Sequence, residues 1–215
     1  MGKAKDGIFG PVNGKVKNLI FYTAKGINII RSVGEKKNII PSEALKRNNS
    51  NFAVLVKFLK KVKPFIRAGF KKEAIGSVYS YHNLATSWNL KNAMRNESGI
   101  SEIMFDKLLL SRGNCLPPDA AQVSLQPGGL SFTWNATALP YAPSQDRAML
   151  LAYFPELQEA IMNTDGAKRM AGSDFLALQP SYLQEAMEVY IAFKATDSDD
   201  VSYSQYLGRI HQPPG

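Results

Sequence analysis

The chain of 215 residues has few of the side chains on which most metal and redox centres depend. It contains one cysteine, Cys115, and two histidines, His82 and His211. A lone cysteine excludes an internal disulfide, and a metal site needs three or four convergent ligands. The sequence therefore predicts neither a disulfide framework nor a metal centre.

Long apolar runs and recognisable catalytic motifs are also missing. No stretch approaches the roughly 18 apolar residues of a membrane-spanning helix, and no apolar segment of secretory length follows the N-terminus. The glycines at positions 7, 10 and 14 do not form a nucleotide-binding loop, and no nucleophile elbow occurs. We therefore expect a non-enzymatic protein without a cofactor, a small-molecule substrate or a membrane partner, with the cytoplasm as its default location.

The acidic segment 197–200 has the composition of a calcium loop without its spacing. Such a loop requires glycine at its sixth position and glutamate at its twelfth, where this chain has Ser202 and Gly208. The segment is instead typical of a solvated turn.

What the chain does have is an uneven distribution of charge. Residues 1–113 carry 21 Lys and Arg against 7 Asp and Glu, whereas residues 114–215 carry 5 against 11. The sign changes within the turn-rich stretch 112–118. Charge and turn residues together predict a basic domain over 1–113 and an acidic domain over 114–215.

The basic half predicts a β-hairpin followed by helix. Two β-rich runs, 16–22 and 27–33, flank a loop in which Gly26 can adopt a positive φ. Ser42 and Glu43 then favour the start of a helix, because a serine caps the first turn and an acid suits the positive end of the helix dipole.

The rest of the basic half is less regular in pattern. The helix has an apolar stripe up to Val62, and Pro64 kinks or ends it. Residues 65–95 fit helix and strand equally well, whereas 100–110 predicts a strand.

The acidic half predicts short strands throughout. Alternation of apolar and polar residues is clearest in 130–134, where Leu130, Phe132 and Trp134 share one face. Seven strands, separated by turn residues, are expected near 121–125, 130–134, 148–154, 157–162, 175–178, 187–194 and 201–207. The predicted fold class is α+β: an N-terminal β-hairpin plus helix region, then a C-terminal all-β immunoglobulin-like sandwich.

Two resemblances accompany these patterns. The string LSFTW at 130–134, with LQP at 178–180 and VYIAF at 189–193, is similar to a fibronectin type III or immunoglobulin-like sandwich. Such folds pack an early-strand tryptophan beneath a later strand rich in tyrosine and valine. The N-terminal pattern GIFG…GKV…KG…IRS, followed by Pro41 and Ser42, resembles an uncharacterised bacterial family known mainly from Bacteroidota. That resemblance implies a bacterial origin and a two-part layout, and it transfers no functional residue.

The cations of the basic half are the chemical signal that points to a partner. The candidate contact surface consists of Lys15, Lys17, Lys25, Arg31, Lys57, Lys60 and Lys61. Opposite charges on the two halves favour a structural or interaction protein that binds a protein partner or itself, head to tail, in a phage-like or surface assembly. The alternative is a sequence-tolerant nucleic-acid-binding module, because aromatic residues are interleaved with the lysines.

Overall fold

The computed structural model describes residues 3–4, 10–24, 26–34, 40–97, 99–136 and 145–211. Within these ranges the chain combines α-helices with several antiparallel sheets, so the expected α+β class is confirmed at that level. The chain divides into two compact units, residues 1–42 and residues 43–215.

The first unit is an antiparallel sheet with its strands in sequence order. Valine, isoleucine and tyrosine favour such strands because their side chains suit a pleated surface. The strands are β1 Lys3–Ala4, β2 Val12–Val16, β3 Leu19–Ala24 and β4 Ile27–Ser32.

The predicted hairpin is present as β3 and β4. Ala24 pairs directly with Ile27, so two residues form the loop, and Gly26 has φ +79°. The expected first strand, 16–22, is interrupted by a turn at Lys17, where φ is +50°. The chain before this turn forms β2, a strand that the sequence pattern did not predict.

The second unit begins with the helices and resolves the ambiguous region 65–95. Its helices are α1 Glu43–Lys61, α2 Lys63–Gly69, α3 Lys71–Ala74 and α4 Tyr81–Asn92. Pro64 lies in the first turn of α2, where a backbone N–H has no helical acceptor and its loss costs little. The side chain of Ser80 accepts a hydrogen bond from the Asn83 amide and caps α4.

The strand expected over 100–110 is wrong beyond residue 103. A hairpin of β5 Met94–Glu97 and β6 Ile100–Ile103 is followed by a short 3₁₀ helix, Phe105–Lys107. Leu108 has extended backbone angles, and the backbone partners of Leu109 come from a side chain. Asn89 of α4 donates to the Leu109 carbonyl at 2.8 Å and accepts from the Leu109 amide at 2.8 Å.

The seven strands expected in the C-terminal half are all present, within a few residues of their predicted bounds. They form a three-stranded sheet in the order β11-β8-β7 and a four-stranded sheet in the order β10-β9-β12-β13. Their bounds are β7 Gln122–Gln126, β8 Gly129–Thr133, β9 Arg147–Phe154, β10 Glu159–Asn163, β11 Ser173–Ala177, β12 Met187–Lys194 and β13 Gln205–Ile210.

The four-stranded sheet is covered on both faces, which explains the continuous apolar run in β9. Leu150 and Phe154 pack with Leu130 and Phe132 of the three-stranded sheet. The intervening residues, such as Leu151, face the helices instead. A strand that is buried on both faces is apolar at nearly every position, so its sequence does not alternate between apolar and polar residues.

The two compact units are not the two domains expected from charge. Phe58 of α1 lies edge-on against Tyr153 of β9, with ring centroids 4.7 Å apart. The Tyr190 hydroxyl of β12 donates to the Phe105 carbonyl at 2.7 Å. Residues on both sides of the expected boundary at 113/114 therefore share one hydrophobic interior. The helices and the outer face of the four-stranded sheet are both apolar, and each covers the other.

Candidate interaction surfaces

The sheet of the first unit has two distinct faces. The strand register places Lys15, Ile20 and Arg31 in one row across β2, β3 and β4, and Tyr22 pairs with Ile29 on the same face. We call this the basic face. The guanidinium of Arg31 lies 6.0 Å from the centre of the Tyr22 ring, at the outer limit of a cation–π contact.

The opposite face of this sheet is apolar, and we call it the apolar face. It carries Val16, Leu19, Phe21 and Ile30. Val16, Leu19 and Ile30 are exposed, and none of the described side chains of the sheet is buried. The chain has no Asp or Glu between residues 7 and 34, so the sheet is a cationic element without internal charge compensation.

The predicted basic surface is divided between the two units. Lys15, Lys17 and Arg31 belong to the first unit, and Lys25 lies outside the described residues. The three helical lysines belong to α1 of the second unit.

The helical lysines themselves lie on different flanks of α1. Lys57 and Lys61 line a groove of about 190 Å³ beside Tyr153 and Gln158. Lys60 acts instead on His82, whose pKa is lowered first by burial and then by the charges of Lys60 and Lys63. The sequence identified these cations, but it could not say which of them share a groove.

A second row of cations lies outside the predicted contact surface. Lys63, Arg67 and Lys71 follow each other at intervals of four residues and line a groove of about 400 Å³ with Thr164. The interval of four residues could have predicted this groove from the sequence, because residues so spaced lie on one side of a helix. Pro64, within this row, suggested a break instead.

The expected boundary at 113/114 is a packed junction rather than a linker. The Asn114 amide donates to the Asp200 carboxylate at 3.0 Å, and the Cys115 amide donates to the Val201 carbonyl at 3.1 Å. A side chain at Gly113 would collide with the Val201 carbonyl, which accounts for glycine there.

Two carboxylates of the acidic segment 197–200 form ion pairs within the chain. Lys71 Nζ lies 2.7 Å from the Asp199 carboxylate, and Lys72 forms an ion pair with Asp200. Cations of the basic half thus neutralise carboxylates of the acidic half inside one molecule. Part of the opposite charge that suggested a head-to-tail contact between molecules is therefore already neutralised within one molecule.

Arg169 is a buried cation with a structural role. Its guanidinium lies 3.7 Å from the centre of the Phe193 ring, donates to the Leu116 carbonyl at 2.7 Å and pairs with Asp146 at 3.2 Å. Burial raises the pKa of Asp146, and the hydrogen bond and charge of Arg169 oppose that rise. Arg169 thus connects the segment around Leu116 with Phe193 in the core between the two C-terminal sheets.

The single thiol of the chain, Cys115, is partly buried. Burial, followed by the charges of Asp146 and Asp200, raises the pKa of Cys115 to about 11, so the thiol stays protonated at neutral pH. Within the described ranges, no three His, Cys, Asp or Glu side chains are placed to hold a metal ion together. None of the described helices is both long and apolar enough to cross a membrane.

An apolar groove of about 550 Å³ lies between α1 and α4. Its lining includes Phe52, His82, Leu84 and Leu90. The Thr86 hydroxyl donates to the His82 carbonyl at 2.7 Å and lies 3.3 Å from His82 Nδ1. These contacts tie His82 to its own helix, which makes it part of the groove wall.

Comparison with known proteins gives a family but no activity. Residues 11–208 match the model of a family described as a family of unknown function, DUF6266. No curated protein and no solved structure matches the chain. The match includes β2–β4 of the first unit and nearly all of the second, so the chain belongs to the DUF6266 family.

Proposed function

We propose that this chain is a non-enzymatic structural protein that self-assembles through its N-terminal sheet, as a component of a phage-like or surface assembly. One observation carries the proposal: none of the described side chains of β2–β4 is buried, although both faces carry large apolar residues. Large apolar side chains that are exposed together on a sheet mark a contact site for another protein, because their burial there is favourable. Contact with a partner would cover them.

The apolar residues of the sheet have the exposure expected of a contact surface. Val16, Leu19 and Ile30 of the apolar face are exposed, as are Tyr22 and Ile27 of the basic face. The charge contrast adds less than the sequence suggested, because Lys71 and Lys72 already pair with the acidic segment 197–200. We therefore place the proposed joint on the sheet rather than between basic and acidic halves.

We further propose an immunoglobulin-like sandwich for the C-terminal strands. The orders β7-β8-β11 and β10-β9-β12-β13 correspond to strands A-B-E and C′-C-F-G of such domains. Trp134 packs edge-on against Phe193 of the later strand β12, with centroids 5.4 Å apart. The bacterial origin implied by the resemblance stays a prediction.

Light scattering of the full chain tests self-assembly. We expect a mass above the monomer value of 23.7 kDa that rises with protein concentration. The double variant Val16→Ser with Leu19→Ser should lower that mass. The matched control, Ile75→Ser with Val78→Ser, removes two exposed apolar side chains of the second unit and should leave it unchanged. A wild-type chain that is monomeric at every concentration and salt would contradict the proposal.

Nucleic-acid binding is the second candidate, and the basic face favours it. Lys15, Tyr22 and Arg31 are exposed on one face of a sheet with no acidic residue, and cations beside an aromatic ring suit single strands. Fluorescence anisotropy with a labelled oligonucleotide should then show an affinity that falls with salt. The variant Lys15→Gln with Arg31→Gln should bind more weakly than Lys57→Gln with Lys61→Gln. Absence of binding at low salt would remove this candidate.

A further inference from the structure

The outer edge of β4 is open for strand pairing. β4 is the last strand of its sheet, and no strand of the described residues pairs with its far side. Open edges of this kind template pairing with another chain, and proteins usually protect them with proline, charged side chains or a bulge. The sequence INIIRS of β4 contains no proline and one charged residue, Arg31, whose side chain lies on the face opposite Ile30.

The ladder between β3 and β4 identifies the free backbone groups. The Val33 amide donates to the Asn18 carbonyl at 2.7 Å, so the 18/33 pair is hydrogen-bonded. Hydrogen-bonded and non-hydrogen-bonded pairs alternate in an antiparallel ladder. The amides and carbonyls of Asn28, Ile30 and Ser32 therefore point away from β3, toward the open edge.

The side chains of these same residues lie on the apolar face, beside Val16, Leu19 and Phe21. Ile30 is 62% exposed and stands in the middle of the edge. Ile30 thus presents an unpaired backbone amide in the plane of the sheet, toward the open edge, and an exposed side chain on the apolar face.

We propose that β4 pairs antiparallel with β4 of a second copy of this chain, with Ile30 opposite Ile30 on the twofold axis. This inference rests on the proposed self-assembly and adds an edge-to-edge joint to the cover of the apolar face proposed above. Edge pairing joins two four-stranded sheets into one and places the apolar faces of the two copies side by side.

The pattern of β4 selects this register over its neighbours. Residues whose backbone groups face the open edge must pair with residues of the same kind in the second copy. This condition leaves three registers with substantial overlap, centred on Ile29, Ile30 and Arg31. Centring on Ile30 places Asn28 opposite Ser32 and Ile29 opposite Arg31, so polar groups meet and like charges do not. Centring on Ile29 places Asn28 opposite Ile30, and centring on Arg31 places the two guanidinium groups opposite each other.

The charge of the sheet predicts an unusual dependence on salt. Both copies are cationic here, so repulsion opposes pairing and is screened by ions. From about 0.1 M to about 1 M salt the Debye length falls from about 10 Å to about 3 Å. Association through β4 should therefore strengthen with salt, whereas head-to-tail pairing of opposite charges and nucleic-acid binding both weaken.

Proline at position 30 tests the edge without disturbing the sheet. The Ile30 amide makes no bond to β3, and proline is tolerated on an edge strand where its nitrogen faces outward. In the full chain, Ile30→Pro should raise the dissociation constant at least tenfold by analytical ultracentrifugation. Ile30→Val, which keeps the amide, and Ile75→Lys, at a residue 65% exposed in the second unit, should leave it within twofold.

Cysteine pairs test the direction of the strands in a Cys115→Ser background. Residues opposite each other in a hydrogen-bonded antiparallel pair have Cα atoms about 5.5 Å apart, within disulfide range. A mixture of Asn28→Cys and Ser32→Cys chains should form mixed disulfide dimers, and neither variant should do so alone. Because these substitutions are small, this test survives even where Ile30→Pro fails to fold.

The outcomes separate the joint from self-assembly in general. If the wild type associates and Ile30→Pro associates equally, or if Asn28→Cys dimerises alone, the β4 joint is overturned and self-assembly stands. If the wild type associates more weakly as salt rises, a charge-driven contact replaces the β4 joint. If the wild type is always monomeric, self-assembly itself is overturned.

Discussion

The two compact units of this chain bury their apolar residues in opposite ways. In residues 43–215, a four-stranded sheet is covered by helices on one face and by a second sheet on the other. In residues 1–42, no described side chain is buried, although valine and isoleucine are more frequent in β2–β4 than in the core strands β9 and β12. Apolar residues in a sheet therefore do not form a core by themselves, because their burial requires another sheet or a helix packed against the sheet.

The distribution of charge along the chain does not follow the division into compact units. The charge changes sign at 113/114, but the hydrophobic interior continues across that point and the compact units divide at 42/43. Surface charge governs association and solubility, whereas apolar contacts decide which elements fold together.

The largest effect is expected where the helices meet the sheet. Phe58→Ala should lower the free energy of unfolding by about 3–5 kcal/mol, because a buried ring leaves a cavity beside Tyr153. Urea unfolding should be followed in two backgrounds, Trp134→Phe and Trp88→Phe, so that one tryptophan reports on each side of residue 113. Both transitions should shift together. A shift confined to the Trp88 signal would restore two independent domains.

Loss of the Asn89 side chain should have the next largest effect. Asn89→Ala leaves the buried amide and carbonyl of Leu109 without partners, which should cost about 1–3 kcal/mol. Chemical denaturation of the wild type and the variant measures this loss of unfolding free energy. Asn92→Ala is the matched control on the same helix, because the exposed Asn92 bonds only to the Trp88 carbonyl among the contacts described. Equal losses for the two variants would show that the bridge from α4 to Leu109 adds nothing.

The charged contact at the junction should have a moderate and pH-dependent effect. Burial raises the pKa of Asp200, but hydrogen bonds from Lys72 and from the amides of Asn114 and Val201 outweigh it, and the pKa is lowered overall. Asp200→Asn should cost about 1–2 kcal/mol at neutral pH. Asp199→Asn, at a more exposed pair, should cost less than about 0.5 kcal/mol.

The sign of the pH dependence follows from the lowered pKa of Asp200. The stabilisation by Asp200 is complete above the pKa of the unfolded chain and is lost as the pH falls through the folded pKa. Thermal unfolding of the wild type and of Asp200→Asn should therefore converge in acid. A difference that persists unchanged through the acid range would assign the loss to shape rather than to charge.

The smallest effect is expected in the first unit. Ile20→Ala should change the unfolding free energy reported by Trp134 by less than about 0.5 kcal/mol, because Ile20 belongs to neither buried cluster. Ile66→Ala, the same substitution at a fully buried site of α2, should cost about 2–5 kcal/mol. A loss of similar size at Ile20 would mean that the first sheet is part of the main cooperative unit.

The strands were predictable because their signals are local. Alternation in 130–134 and the turn residues between runs are properties of neighbouring residues, and the seven C-terminal strands lie close to where these signals indicated. The start of α1 was predictable for the same reason, since a cap depends on residues within one turn.

The helix α4 shows where local signals end. Its buried face includes Thr86 and Asn89, so no apolar stripe marks it as a helix. Asn89 is satisfied by Leu109, which lies 20 residues away along the chain. The segment 104–110 was predicted as strand for the complementary reason, although it contains a 3₁₀ helix. Its apolar residues match a strand pattern, but the ladder partner is a side chain of another element.

The candidate surface was predictable in composition but not in arrangement. The sequence supplied every cation, yet only the register of β2–β4 places Lys15 and Arg31 on one face with Tyr22. The pairing of Lys71 with Asp199 joins residues 128 positions apart, beyond the reach of any local pattern.

By itself, the sequence determined the α+β class, the C-terminal strands, the start of the first long helix and the cationic character of the N-terminal region. Each of these depends on residues close together in the chain. Only the tertiary structure decided that the helices and the C-terminal sheets form one unit, that opposite charges pair within it, and that no described strand pairs with the outer edge of β4. Those outcomes depend on which apolar faces meet, and this is settled by contacts between distant residues.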